Sequence, residues 1–284
     1  DFLERYEGVS MTYLDVQANG MIDLEQLKQA IRPETILVSI MHSNNETGII
    51  QPLKQIREII KGKGIYLFSD ATQSLGKIDL EDVFSTVDFA CFSAHKLYGP
   101  KGIGLVYVKN RSDSQIIRNF IQGGGQQKKI RGGTLNTPAI AGFSKAIEIS
   151  YADLKKEGQH FIDMRNQLES GLLEIEESYS NSRTTERLPN TLNISFAYVD
   201  GFKLLSALSK SMAVSNGSAC NSANENPSHV LLAMGLERNM AFSSIRFSLG
   251  RFTKESDIDK IIGIVGQEVA KQRSNNILWE RRSL

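Results

Sequence analysis

Apolar runs of strand length alternate with segments of helical periodicity through the first half of the chain. Four runs predict β-strands, at residues 35–42, 65–70, 87–93 and 102–109. Between the first two of them, Leu53, Ile56 and Ile60 recur at helical spacing. Strands that are almost continuously apolar and alternate with helices predict a mostly parallel sheet that is covered on both faces.

The first predicted helix begins with a local capping signal. Asp23 stands where an N-cap is expected, and Gln26 follows three residues later. We therefore expect the Gln26 side chain to reach back to the cap, as in a capping box. Pro33 is expected to end this helix, because proline cannot continue one.

The second half of the chain has a different pattern, with longer helices and fewer strands. Its predicted helices cover 138–157, 159–178, 202–209 and 256–271, and its predicted strands cover 191–199 and 243–251. We therefore expect an α/β fold in two parts. A large domain with the mostly parallel sheet would cover 1–145, and a smaller C-terminal α+β domain would cover 146–284.

The composition narrows the classes of function. The chain has 284 residues, a formal net charge of +1 and 40% hydrophobic residues. With so little net charge, neither a nucleic acid nor a membrane surface is expected as a partner. Two cysteines and no secretory pattern fit a reducing compartment, so we expect a cytoplasmic protein. The first residue is Asp rather than Met, from which we expect the chain to be a fragment.

Polar side chains follow three neighbouring strands of the predicted sheet. They are Asn45 after the first strand, Asp70 and Gln73 after the second, and Ser93, His95 and Lys96 after the third. Ligands of open α/β sheets bind outside the carboxyl ends of the strands. We therefore expect these side chains to meet at one edge of the sheet.

These residue types suit pyridoxal 5'-phosphate. The Lys96 amine can form a Schiff base with an aldehyde, and Asp70 can pair with a protonated pyridine nitrogen. Ser93 and His95 can donate to a phosphate, and the glycine-rich stretch 123–136 adds Thr134. Each residue alone has an ordinary structural explanation, such as a solvated lysine or an aspartate that caps a helix. Their combination in this order favours the cofactor.

The two cysteines lie in different surroundings. Cys220 stands among Gly, Ser, Ala and Asn in 214–226, which is loop composition and favours an exposed, reactive thiol. Cys91 lies between Ala90 and Phe92, so we expect it in the core. Arg246 is a candidate clamp for a substrate carboxylate, although a surface ion pair is the favoured explanation when this residue is taken alone.

Six stretches carry a resemblance to a known family. They are "HSNNETGIIQPL", "SDATQSLGKI", "FSAHKLYGPKGIG", "GGGQQKKIRGGTLN", "SNGSACNSANENPSHVLLAMGL" and "SSIRFSLGRFT". In this order they resemble the group I (NifS/IscS-like) cysteine desulfurases, which are fold-type I pyridoxal-phosphate transferases. A lysine motif and a cysteine-loop motif occur together, and the matching stretches span nearly the whole chain.

The resemblance implies a role for each cofactor-binding position. Lys96 would bind pyridoxal 5'-phosphate as a Schiff base. Asp70 would pair with the pyridine nitrogen, and Gln73 would pair with the ring oxygen. Ser93 and His95 would hold the phosphate group.

The resemblance also implies the substrate, the nucleophile and the partners. Asn45, which would contact the cofactor too, and Arg246 would hold the carboxylate of L-cysteine. Cys220 would attack the substrate sulfur and keep it as a persulfide while L-alanine leaves. Thr134 would reach the phosphate of the other subunit in a homodimer. Acceptors would be iron–sulfur scaffold or other sulfur-acceptor proteins, and Cys220 would then act as a transient iron–sulfur ligand shared with the scaffold.

Two alternatives to a cysteine desulfurase stay open. One is a selenocysteine lyase or a related pyridoxal-phosphate enzyme, although an aminotransferase needs no protein thiol. The other is a non-catalytic remnant that binds sulfur-transfer partners. Members of the resembled family carry a longer N-terminal segment with a histidine that stacks on the cofactor, so we expect the N-terminal part of the large domain to be absent here.

Overall fold

A four-stranded sheet organises the first half of the computed structural model, which describes residues 8–110, 121–182, 184, 186–216 and 226–282. Its strands are β1 (Leu37–Ser39), β2 (Tyr66–Asp70), β3 (Phe89–Ser93) and β4 (Gly104–Val108), in the spatial order β1-β2-β3-β4. The first three strands run parallel, and β4 pairs antiparallel with β3. The sheet is mostly parallel, as predicted, and the carboxyl ends of β1, β2 and β3 meet at one edge.

Among the described residues, four helices accompany this sheet. They are α1 (Leu24–Ala30), α2 (Leu53–Ile60), α3 (Glu81–Thr86) and α4 (Thr137–Ala152). Asp23 caps α1 by accepting the backbone N–H groups of Glu25 and Gln26. The expected return contact is wrong, because the Gln26 side chain instead donates to Asp15 Oδ2 at 2.9 Å. The helix also ends at Ala30, before the proline.

The sheet buries only one of its faces within the described part of the chain. Ala90 and Phe92 of β3 point into a core that the helices cover. On the other face, Leu37 is 45% exposed and Val106 is 62% exposed. The expectation that both faces are covered is therefore wrong for the described residues. Side chains alternate along a strand, so Cys91 lies on this open face and is only half-buried. Its predicted place in the core is also wrong.

The second half builds an antiparallel sheet and its own core. Its strands are β5 (Ser178–Ser180), β6 (Thr191–Phe196) and β7 (Ser244–Ser248), with β6 in the centre. Its helices are α5 (Leu154–Leu173), α6 (Gly201–Leu208), α7 (His229–Ala233), α8 (Arg238–Phe242), α9 (Glu255–Arg273) and α10 (Ile277–Arg281). The α5 helix stops before the predicted 178, since Ser178–Ser180 pairs with β6.

The two long helices pack on different cores. Phe143 and Ala146 of α4 belong to the core of the first sheet, whereas Phe161 and Leu168 of α5 belong to the second core. The predicted division at residue 145 stays a prediction. The contacts of the first core end with α4, and Asp153 is the N-cap that precedes α5, whose buried side chains belong to the second core.

The loop after β1 is hydrogen-bonded to the second half. The Ser182 hydroxyl donates to the Thr47 carbonyl at 2.6 Å, and the Asn193 side chain donates to the Glu46 carbonyl at 3.3 Å. The buried Glu46 carboxylate accepts the Ser228 hydroxyl at 2.5 Å. These contacts hold the carboxyl edge of the parallel sheet against β6 and α7.

The described helices do not combine the length and the apolar character of a membrane span. Among the described residues, no helix combines 18 residues with the apolar character that a bilayer crossing needs.

Candidate active site

A cavity of about 300 Å³ lies at the carboxyl edge of the parallel sheet, between the two halves. From the first half it is lined by Asn45, Gln73, Gly76, Lys77, His95, Lys96, Leu97 and Tyr98. From the second half it is lined by Glu157, Phe161, Asn190, Thr191, Arg246, Ser248, Leu249, Gly250 and Arg251. Five of the residues predicted for the site, Asn45, Gln73, His95, Lys96 and Arg246, therefore share one cavity.

A single tight turn presents Lys96 to the cavity. The β3 strand ends at Ser93, and Ala94–Leu97 forms one 3₁₀ turn. Ala94 and Leu97 are buried on the sheet side of this turn, so His95 and Lys96 face away from the core. Tyr98 then takes the left-handed conformation at φ 65°, which ends the turn. A histidine and a lysine thus directly follow the strand, on a turn that presents both to the cavity.

His95 is oriented by its neighbour Ser93. The Ser93 hydroxyl lies 2.8 Å from His95 Nδ1. This contact occupies one ring nitrogen and leaves the other for a ligand. Ser93 does not line the cavity itself, so in the structure it acts on the site through His95.

Asn45 and Arg246 are in direct contact across the two halves. Arg246 Nη1 donates to the Asn45 backbone carbonyl at 2.8 Å. Arg246 lies in β7, where its backbone also pairs with Ser215. Arg246 is half-buried and lines the cavity beside Asn45.

The cavity is rich in positive charge. Among the described residues, its lining holds four cations, Lys77, Lys96, Arg246 and Arg251, against the single carboxylate of Glu157. That carboxylate already accepts two hydrogen bonds from Arg251, at 2.6 and 2.7 Å. Burial, followed by the charges of Lys96 and Arg246, lowers the pKa of Lys77 to about 8. Cations that repel one another in a shared cavity favour an anionic ligand.

Asp70 lies outside the cavity lining, on the open face of the sheet. It pairs in register with Cys91 of the neighbouring strand, and its carboxylate accepts the Thr72 N–H at 2.9 Å. Partial burial, together with the negative charge of Asp70, raises the pKa of the Cys91 thiol to about 11. Cys91 therefore stays a neutral thiol at physiological pH, which does not suit a nucleophile.

Thr134, like Asp70 and Ser93, does not line the cavity. Thr134 is exposed and away from it. Cys220 lies outside the described residues, between Asn216 and Asn226, which line one small cavity with Pro227 and Ser228. Within the described ranges no cluster of His, Cys, Asp and Glu could hold a metal ion.

Sequence reasoning missed Lys77, Glu157 and Arg251. Lys77 follows Gln73 by four residues in "QSLGK", and this helical spacing was the available signal. Glu157 and Arg251 come from distant parts of the chain, so only the fold brings them together.

The residues around this cavity fit pyridoxal 5'-phosphate. A cavity lined by cations matches a phosphate, a lysine amine at the end of a strand matches covalent attachment to an aldehyde, and His95 and Gln73 supply polar contacts. Together, the parallel sheet and this site define a pyridoxal-phosphate-dependent α/β enzyme.

Comparisons with known proteins agree with this class. The family described as aminotransferase class-V matches residues 1–261. A cysteine desulfurase IscS of Aeromonas salmonicida is 45% identical over 278 residues, which cover 98% of this chain and 68% of that protein. A solved NifS-like protein superposes with a TM-score of 0.83 at 35% identity, covering 93% of this chain and 69% of that one. A structure titled SspA in complex with cysteine has a TM-score of 0.69 at 36% identity, covering 87% and 68%.

The chain therefore belongs to the class-V aminotransferase family and, within it, to the IscS/NifS-like cysteine desulfurases. Enzymes of this family use pyridoxal 5'-phosphate.

Proposed function

We propose that this chain converts L-cysteine to L-alanine and keeps the sulfur as a persulfide on Cys220. The carbon–sulfur bond of the substrate breaks, a sulfur–sulfur bond forms on Cys220, and the carbon takes the electron pair and a proton. One cysteine and one protein thiol thus become one alanine and one protein persulfide. The observation that carries this proposal is the cavity that Lys96 and Arg246 share, with its excess of cations.

The cofactor would be held by the residues at the edge of the sheet. We assign covalent attachment to Lys96 and the phosphate contact to His95, which Ser93 orients. Gln73 would donate to the ring oxygen, and Asp70 would hold the pyridine nitrogen in its protonated form. When bound, pyridoxal 5'-phosphate supplies an electron sink for the bonds at the substrate α-carbon.

Arg246 and Asn45 would hold the substrate carboxylate. An arginine forks onto a carboxylate with two parallel hydrogen bonds, and Arg246 is already fixed by its contact with the Asn45 carbonyl. Its charge lies near those of Lys77 and Lys96. A carboxylate bound here would orient the substrate so that the Lys96 amine can move the α-proton.

Cys220 is the thiol that we assign as the nucleophile. Asn216, four residues before it, directly follows Ser215, whose backbone pairs with Arg246. This places the start of the cysteine segment beside the proposed carboxylate clamp. The other cysteine, Cys91, is a poor nucleophile because burial and Asp70 raise its thiol pKa to about 11.

The partners follow from the same assignment. A persulfide must be handed to an acceptor, so we propose a sulfur-acceptor or iron–sulfur scaffold protein as the partner of Cys220. Thr134 is exposed and lies away from the cavity of its own chain. That position leaves Thr134 available to a phosphate in the second subunit of a homodimer, which we propose as the working assembly.

The test compares serine variants of the two cysteines. Purified protein is supplied with pyridoxal 5'-phosphate and L-cysteine, and alanine and protein-bound persulfide are measured together. We expect Cys220→Ser to lose both products, whereas Cys91→Ser keeps them. Alanine formation by Cys220→Ser at the wild-type rate, or persulfide mapped to Cys91, would refute the assignment. A wild-type protein that forms no alanine would refute the proposed function as a whole.

A further inference from the structure

Lys77 occupies a place in the cavity that no predicted role explains. It ends a short run of turns that follows β2, in which Leu75 N–H donates to the Ala71 carbonyl and Ile78 N–H donates to the Ser74 carbonyl. Gly76, which precedes Lys77, has φ 72°, a left-handed conformation that glycine adopts readily and that lets the chain turn just before Lys77. Lys77 thereby comes to line the cavity.

The Lys77 ammonium contacts Gln73 one helical turn earlier. Lys77 Nζ donates to Gln73 Oε1 at 3.2 Å. A lysine ammonium has donors and no acceptor, so it can bond only to the oxygen of the amide. This contact fixes which end of the Gln73 amide faces Lys77. The Gln73 NH₂ group is left as a hydrogen-bond donor for whatever the cavity holds.

Lys77 is a cation in a cavity that other cations also line. Among the described residues, the charged and titratable groups that share the cavity with Lys77 are His95, Lys96 and Tyr98 from the turn after β3, Glu157 from α5, Arg246 from β7, and Arg251, which follows β7. In the described part of the chain, no carboxylate forms an ion pair with Lys77, and Glu157 is engaged by Arg251. An anion in the cavity would relieve this repulsion.

We propose that Lys77 is a positioning residue, which fixes Gln73 as a hydrogen-bond donor toward the anionic ring oxygen of the cofactor. The inference rests on the proposed function, because it names what the Gln73 donor is for. It also extends that function, because it adds a residue that acts through another side chain and need not touch the cofactor.

This role has a characteristic dependence on pH. The pKa of Lys77 is about 8 in the protein, so the ammonium loses its proton as the pH rises through this value. A neutral amine can accept as well as donate, so the orientation of Gln73 is then no longer enforced. Bound cofactor raises the Lys77 pKa by linkage, and a tenfold gain in affinity corresponds to about one pH unit. The advantage from Lys77 should therefore fade between about pH 8 and pH 9.

The experiment measures the dissociation constant of pyridoxal 5'-phosphate by absorbance or fluorescence from pH 7 to pH 9.5. The variants are Lys77→Met, Lys77→Arg and Gln73→Leu, together with the double variant. Lys63→Met, an exposed lysine of the same half, is the matched control. Circular dichroism melting at each pH reports whether each variant is folded.

We expect Lys77→Met to bind the cofactor about tenfold more weakly than wild type at pH 7, as for a lost charge-assisted hydrogen bond. The ratio should approach one at pH 9.5. Lys77→Arg should keep tight binding across the whole range, because arginine stays charged. In the Gln73→Leu background the methionine substitution should have little further effect.

Three results would overturn the inference. They are equal affinity of wild type and Lys77→Met at pH 7, a loss that is the same at both ends of the pH range, and effects of Gln73→Leu and Lys77→Met that add fully. A wild-type protein that binds no pyridoxal 5'-phosphate would instead refute the proposed function, and the inference with it.

Discussion

Acid should destabilise the fold through His42, which follows β1 at the edge of the parallel sheet. His42 is only 7% exposed. Its backbone N–H donates to the Asp70 carbonyl and its carbonyl accepts the Gln51 N–H, so the main chain cannot easily move away. Among the described residues, His42 Nδ1 is buried without a hydrogen-bond partner. Burial lowers the pKa of His42 from 6.5 to about 4, against a small opposing effect of Asp82.

The lowered pKa fixes the direction of the pH effect. Between about pH 6.5 and pH 4 the unfolded chain binds a proton at His42, whereas the folded protein does not. The protonation of His42 therefore does not lower the free energy of unfolding above pH 6.5, and it lowers this free energy progressively as the pH falls towards 4. One pKa unit corresponds to about 1.4 kcal/mol, so the loss from this residue should reach about 3 kcal/mol.

The assay is urea unfolding followed by circular dichroism at pH 7, 6, 5 and 4.5. His42→Leu replaces the titrating ring with an apolar side chain of similar size. His160→Leu, at an exposed position on α5, is the matched control. Wild type and the control should lose about 2–3 kcal/mol more than His42→Leu between pH 7 and pH 4.5. Stability curves that run parallel for all three proteins would refute this reasoning.

Two further substitutions test how the cavity is built. Gly76→Ala should destabilise the protein by about 1–2 kcal/mol in thermal unfolding, because φ is 72° and the added Cβ would lie 2.9 Å from a side chain of α4. Gly62→Ala is the control, because Gly62 has nearly the same φ, 73°, and its added Cβ would have nothing within 4 Å. The difference between the two variants separates the cost of crowding from the cost of backbone strain. Glu157→Gln should lower the free energy of unfolding by about 1 kcal/mol in the same assay, because it weakens the two hydrogen bonds from Arg251 at the cavity wall. An unchanged melting temperature would show that this pair does not stabilise the fold.

The elements that the sequence predicts well are those whose signal is local. The strands at 65–70 and 87–93 are found within two residues at each end, because compact apolar runs are bounded by polar residues. The predicted helix at 202–209 agrees with α6, which Asp200 caps by accepting two backbone N–H groups. In these segments the local sequence and the tertiary packing favour the same structure.

The predictions that fail depend on distant partners. Ser178–Ser180 has the polar character of a loop, and it is a strand only because β6 pairs with it. Cys91 has apolar sequence neighbours, yet these neighbours point to the opposite face of β3. The prediction that both sheet faces are covered rests on apolar strands that alternate with helices, and this pattern does not show which residues pack on the second face.

The residues of the candidate site likewise divide into those with a signal in the sequence and those that only the fold brings together. Asn45, Gln73, His95 and Lys96 were found together because ends of parallel strands share an edge. The salt bridge between Glu157 and Arg251 joins residues 94 positions apart, so no local pattern could indicate it.

Mapping the covalent attachment site of the cofactor tests the central claim most directly. Protein incubated with pyridoxal 5'-phosphate is reduced with borohydride, digested and analysed by mass spectrometry. Two lysines, Lys77 and Lys96, line the same cavity, so the measurement distinguishes between them. We predict that the reduced cofactor is found on Lys96, and that Lys96→Ala abolishes the label while Lys77→Met retains it. A label on Lys77 would contradict the assignment of Lys96 as the attachment residue, and a label on a lysine outside the cavity would contradict the assignment of this cavity as the catalytic site.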